Sequence, residues 1–503
     1  MQGKRDWKEI TATKEAQQLR TIAEAQYKAL RRKGQNELDD STAAGDAPNS
    51  QQSGELTTRS NQPHTAERFW WDSGLCASLP IDKPPHEDAR LIKLFLDFIF
   101  PIQFGFYPMS TAMDHSWLIS GLCGNKTRYH AALAVSASFD ASLREPWKTD
   151  GIGLSFEVTE RQAIASGGLR TIIANFNEQR HALKDMVRIG IQVLEVMHQL
   201  LSLEIFSMLE GTWELHHQAA KTLLNTFHTY RTPEACVQEE AASISSPLEV
   251  ALRDFSSPDT QRTLEFHVTC FIWIDIIANA TFGSPSHIPR RFDYIPYLQA
   301  NDLKTQDIMG CHSSVMASIA EITCLADWKT SQLQSKSLDI KELSERASSM
   351  ASRLADQVLE LEEVSVFDMT KLQVESRMVT LQFACAAQVY LHVVVSGTNT
   401  ANPKLIRYVS RNLEMLEALP SGLMIRANWA FTISGCMAGK SLHDRFRGLV
   451  AKMVAQKLPL GMTWKGLIIM EECWRLRESH PELEADYVWQ SAMKSLGSRI
   501  LPV

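Results

Sequence analysis

From about residue 85 to the C-terminus, apolar residues recur at helical spacing in one segment after another. Nowhere do Val, Ile and Thr gather into several alternating strands. This pattern constrains the fold more than any other property of the chain. Segments 89–100, 126–143, 159–177, 190–209, 212–230 and 264–281 show it. So do 313–331, 340–363, 374–396, 403–419, 443–456 and 463–477. Gly, Pro and Asn punctuate the joins, where helices end. An amphipathic helix must bury its apolar stripe against another element. The pattern therefore predicts an all-α fold, a large irregular array of antiparallel helices over 85–503. No fixed-period repeat accompanies it, which argues against a regular solenoid.

The front of the chain reads differently. Residues 1–33 hold nine Lys/Arg against four Asp/Glu, a local charge of +5. Leu19, Ile22, Ala23, Gln26 and Leu30 fall on one stripe, so 13–33 reads as an amphipathic helix with a basic end. It is a solvated helix, a short coiled coil or an arm that touches nucleic acid. Residues 34–66 are rich in Ser, Asn, Gln, Gly and Asp without apolar periodicity, and 34–84 is expected to be a mostly disordered linker. Asp39 and Asp40 lie inside it, and a flexible acidic pair cannot hold a metal in fixed geometry.

The net charge of −7 and pI near 6.1 give no global attraction for nucleic acid or anionic membranes. Any contact with DNA must come from a local basic segment. The candidates are Lys4, Arg5, Lys8, Arg31, Arg32 and Lys33, which could neutralise phosphates in a weak, salt-sensitive way. The first ten residues have no apolar core of a secretory signal. The longest apolar stretch, 383–395, is broken by Gln388 and His392, so a membrane partner is not expected.

GCMAGKS at 435–441 has three residues between Gly435 and Gly439, where a phosphate-binding loop needs four before its Gly-Lys-Ser. These glycines are expected at helix ends and close contacts. Two Glu-x-x-His pairs, Glu195/His198 and Glu214/His217, have the helical spacing used by di-iron bundles. They sit on consecutive helices, so Glu195 and Glu214 are expected to be solvated, with His216 or His217 packed at a helix contact. His392 is expected to be a core histidine. The nine cysteines are scattered without a CxxC, which points to buried free thiols. Asp275, amid apolar residues, is expected to meet a helix end or a basic side chain. No catalytic, cofactor or metal residue is proposed from these patterns.

Six segments in order resemble one family. They are LDFIFPIQFGFYP with WLISGL at 96–122, IFSMLEGTWELHHQAA at 205–220 and FIWIDIIANAT at 271–281. MGCHSSVMASIAEITCLADWK at 309–329 and FACAAQVYLHVVVSG at 383–397 follow, then WAFTISGCMAG with MEECW at 429–474. Together they resemble the fungal-specific transcription factor domain, the helical regulatory half of many zinc-cluster regulators. The resemblance implies a nuclear, non-catalytic regulator of transcription in a filamentous fungus, controlling a metabolic or secondary-metabolite gene set. It implies partners among other regulators or the transcription machinery, and a possible homodimer. Such regulators usually carry six paired cysteines ahead of this domain, which bind zinc and place a helix on DNA. This chain has no cysteine before Cys76. Two alternatives stay open: an interaction partner of a full-length regulator without DNA contact of its own, and a helical ligand receptor or enzyme.

Overall fold

The computed structural model describes residues 86–108, 116–144, 156–178, 183–206, 213–229, 258–283, 292–365, 367–456, 461–479 and 488–503. Among them are eighteen α-helices and no strand. The basic helix expected at 13–33 and the linker at 34–84 lie outside the described residues.

The first layer contains α1 (His86–Leu94), α2 (Phe100–Gln103), α3 (Ser116–Gly124), α4 (Lys126–Arg144), α5 (Phe156–Glu178), α6 (Leu183–Phe206), α7 (Trp213–Thr229) and α8 (Pro258–Phe282). Short α9 (Ile295–Gln299) and α10 (Gln306–Met309) lead to α11 (Ser313–Gln334), α12 (Ile340–Glu363), α13 (Lys371–Ser396) and α14 (Pro403–Ala418). Then come α15 (Asn428–Cys436), α16 (His443–Ala455), α17 (Gly461–Ser479) and α18 (Val488–Leu496). Neighbours in sequence are largely neighbours in space: α4 packs on α5 and α6, α6 on α7 and α8, and α8 on α11. α13 is the hub of the second half and touches α11, α12, α14 and α15.

Local chemistry sets many of the boundaries. The Asp339 side chain accepts from the N–H groups of Lys341 at 2.7 Å and Glu342 at 3.4 Å, which starts α12 at the expected residue. Thr370 and Gln373 form a reciprocal capping box at the start of α13. Asn402 caps α14 with Pro403 at its first position, where a missing N–H costs nothing. Gly310 ends α10 at φ 83°, a conformation that suits glycine.

Pro101 does not end the first helix, contrary to the expectation for 89–100. A π-turn over Phe95–Ile99 follows α1 and continues without a break into α2, so the helix widens just ahead of Pro101, whose ring cannot complete the ordinary α-helical hydrogen bond. α15 was not expected at all. All nine of its residues are buried, so it has no polar face and no readable period.

Two apolar clusters fill the interior. The smaller gathers Phe100, Phe104, Tyr107 and Trp117 around Phe266 of α8, with ring centroids 4.9–5.8 Å from it. The larger runs from α4 to α18, and within it Trp429 stacks on Phe383 at 5.8 Å and meets the edge of Tyr390 at 6.0 Å. Each such aromatic pair contributes about 0.5–1.5 kcal/mol beyond the area it buries. Two helical stretches, Thr260–Phe282 and Lys371–Ser396, are long and apolar enough to cross a membrane. Their most apolar windows are 94% and 83% buried inside the protein, so that surface faces other helices.

Candidate functional site

The most unusual feature of the interior is a layer of ionisable side chains between α4, α6, α7 and α8. Arg128 enters it from the first turn of α4, where the Asn125 side chain accepts from the N–H groups of Thr127 and Arg128. Its guanidinium is completely buried, and Nη1 donates to Glu195 Oε1 of α6 at 2.5 Å. Gly121 of α3 makes room for it: a Cβ there would lie 1.5 Å from Arg128 Nη1. Burial pushes the Glu195 carboxyl above the usual carboxylate range, against the pull of the Arg128 charge and hydrogen bond.

One turn along α6, His198 Nδ1 lies 3.2 Å from His267 Nδ1 of α8. Burial, aided by the Arg128 charge, lowers His198 to about 4. Burial lowers His267 as well, together with the neighbouring His198 and Arg128. Both rings are therefore neutral at pH 7, and a neutral pair can share one proton between donor and acceptor nitrogens. His198, His216 and His267 border a cavity of about 10 Å³, close to the minimum for a single water.

A second knot lies one helix further on. Asp275 of α8, 1% exposed, accepts from the Tyr294 hydroxyl at 2.6 Å and from Asn279 Nδ2 at 2.9 Å. His217 Nε2 stands 3.0 Å from its other oxygen, an ion-pair contact without hydrogen-bond geometry, and Lys221 Nζ stands at 3.6 Å. His216 meets Glu204 at 3.2 Å.

These positions revise part of the sequence reading. Glu195 is not solvated but 4% exposed, because the Arg128 guanidinium on a neighbouring helix offsets the loss of water. Glu214 is half-buried and pairs with Arg499 at the surface, so the two Glu-x-x-His carboxylates each face an arginine. Both His216 and His217 pack at helix contacts, and Asp275 meets basic side chains as expected. His392 is 8% exposed, faces Tyr408, and is lowered by burial. Gly435 lies inside α15, where a Cβ would come within 2.2 Å of Met470 Sδ, and Lys440 turns outward to Glu478 at 3.2 Å. The cysteine thiols at Cys270, Cys311 and Cys473 are pushed well up by burial, and Cys385 to about 12. Thiols held protonated are poor nucleophiles.

Arg128, His267, Lys221 and Tyr294 were not singled out in the sequence. The signal that found Asp275, a charge or imidazole inside an apolar helical run, also marks His267 in LEFHVTC. Lys4, Arg5, Lys8, Arg31, Arg32 and Lys33 lie outside the described residues, so no geometry attaches to them. The buried layer can fix the register of four helices, since each charge is tolerated only opposite its partner. It presents no exposed nucleophile and no cleft of ligand size.

No solved structure matches this chain. The trichothecene biosynthesis transcription regulator TRI10 of Trichoderma arundinaceum is 25% identical over 432 residues, covering 82% of this chain and 97% of that protein. The ustiloxin B cluster transcription factor ustR of Aspergillus flavus is 24% identical over 439 residues, covering 82% and 72%. The transcription factor dibT of Pestalotiopsis microspora is 24% identical over 445 residues, covering 81% and 69%. The fungal specific transcription factor domain matches residues 90–503, the helical array from the second turn of α1 to the C-terminus. The chain belongs to the fungal specific transcription factor domain family.

Proposed function

We propose that this chain is a nuclear transcription regulator that controls a secondary-metabolite gene set in a filamentous fungus and has no catalytic step. The observation that carries this reading is the family match over 90–503, together with relatives named as regulators of trichothecene and ustiloxin B biosynthesis. The helical domain at 85–503 receives a partner or signal and passes it to the transcription machinery. The basic segment 1–33 contributes weak DNA contact or pairing with another regulator, and 34–84 link it to the helical domain. A relative that this chain spans to 97% of its length and that bears the name of a regulator supports the domain itself as the main working part.

Deleting the gene and sequencing the transcripts tests this. The expected result is a concerted rise or fall in the transcripts of one biosynthetic gene set. An unchanged transcriptome under conditions in which the gene is expressed overturns the proposal.

A further inference from the structure

We infer that the corner between α12 and α13 is a docking surface for a protein partner that offers an apolar pocket rimmed by Lys and Arg. This rests on the proposed role in transcription and names the contact through which it works. Phe367, in the connection between the two helices, is 90% exposed, more than any other large apolar side chain among the described residues. Leu359, Val364 and Leu372 at the same corner are 51%, 45% and 39% exposed. Four large apolar side chains exposed within fourteen residues form a patch, and such patches mark interaction sites.

The charge around the patch identifies the partner's chemistry. Glu360, Glu363 and Asp368 alternate with the apolar residues and hold no ion pair among the described residues, whereas Glu362 is engaged by Arg411 at 2.6 Å and the lysine of the stretch, Lys371, faces Glu375 at 3.7 Å. Acidic and apolar residues interleaved in this way suit a basic, grooved surface. A second copy of the corner would bring like charges together and is disfavoured. The helix ends on either side of Phe367 are held in place. Arg377 donates to the carbonyls of Leu361 and Glu362 at the end of α12, and the Thr370–Gln373 box begins α13. Anchored helix ends on either side shorten the segment that must order when the aromatic ring binds.

The test fuses the full chain to a heterologous DNA-binding domain upstream of a reporter. The tethered parent is expected to move reporter output from baseline. Phe367→Ala should cut that change roughly tenfold, as loss of a central aromatic anchor does. A triple Glu360→Gln, Glu363→Gln, Asp368→Asn variant should cut it severalfold, with protein level and thermal midpoint unchanged. Output equal to the parent's in both variants overturns the docking surface, as does an inert parent. A parent that sediments as a dimer and a Phe367→Ala variant that sediments as a monomer also overturn it, in favour of self-association. Transcript changes on gene deletion combined with indifference to Phe367 sink the surface alone. An unchanged transcriptome sinks the regulator reading itself.

Discussion

The two halves of the helical array solve burial in different ways. Between α4 and α8 the interior contains Arg128, Glu195, His267 and Asp275, all fully enclosed or nearly so, with the partly buried His198 beside them. Between α11 and α18 the interior is built on Phe383, Tyr390, Trp429 and Trp489, and its buried Glu472 pairs with Arg475, a side chain that is 53% exposed. The second half thus lets its buried carboxylate reach water through Arg475 and seats the largely enclosed Arg426 and Arg477 on backbone carbonyls, while the first half pairs buried charge with buried charge. One half depends on shape and volume, the other on pairing and protonation.

The largest expected effects set these two dependences side by side. Trp429→Ala should lower unfolding stability by about 3–5 kcal/mol in urea titration, through lost burial and the cavity left behind. Glu195→Ala should cost about 3–5 kcal/mol, because it leaves the buried Arg128 charge without its partner. The second loss should be repairable: Arg128→Met with Glu195→Leu should bring the urea midpoint back close to the parent's. If the double variant is as unstable as Glu195→Ala, the contrast between the halves fails.

Protonation gives the next test. His198 is lowered from 6.5 unfolded to about 4 folded, so the unfolded chain binds more protons between these values. Stability should therefore fall as pH drops from 6.5 towards 4, by about 3 kcal/mol at most for this group. His267 has the same sign, while the raised carboxyl of Glu195 opposes it above pH 4.5. A His198→Gln variant should show a flatter fall in thermal midpoint between pH 7 and 5. An equal slope in parent and variant would place the acid sensitivity elsewhere.

Overpacking should cost less. Gly435→Ala drives a methyl into Met470 and should lose about 1–3 kcal/mol, since the thioether can shift only partly. The smallest effect belongs to Phe367→Ala, whose ring touches little in the folded chain. Its stability should stay within about 0.5 kcal/mol of the parent, so any change in regulation must come from a lost partner.

Helices with strong caps and one polar face were legible from the sequence. α12 begins and ends where its period does, and α13 and α14 end within a residue of theirs. α6 and α8 begin seven and six residues earlier than their apolar periods suggested, and for α8 the reason is its polar opening, PDTQRT, which continues a helix without signalling it. α15 escaped because a helix buried on every side has no amphipathic signature. The candidate site was half legible. Asp275 stood out as one charge in an apolar run, yet nothing local to Arg128 says that a glutamate 67 residues away will meet it.

By itself the sequence determined the helical class, the ordered landmarks of the family and the +5 front segment, because period, composition and motif order are local properties of the chain. Only the tertiary structure decided which ionisable groups are partners and which apolar residues are left outside. Glu195 and Glu363 are both glutamates on helices, and their difference lies in what stands opposite them. For Glu195 that is a buried guanidinium, and for Glu363 it is water. Pairing across helices depends on how the elements cross, and the crossing is set by the whole packed array.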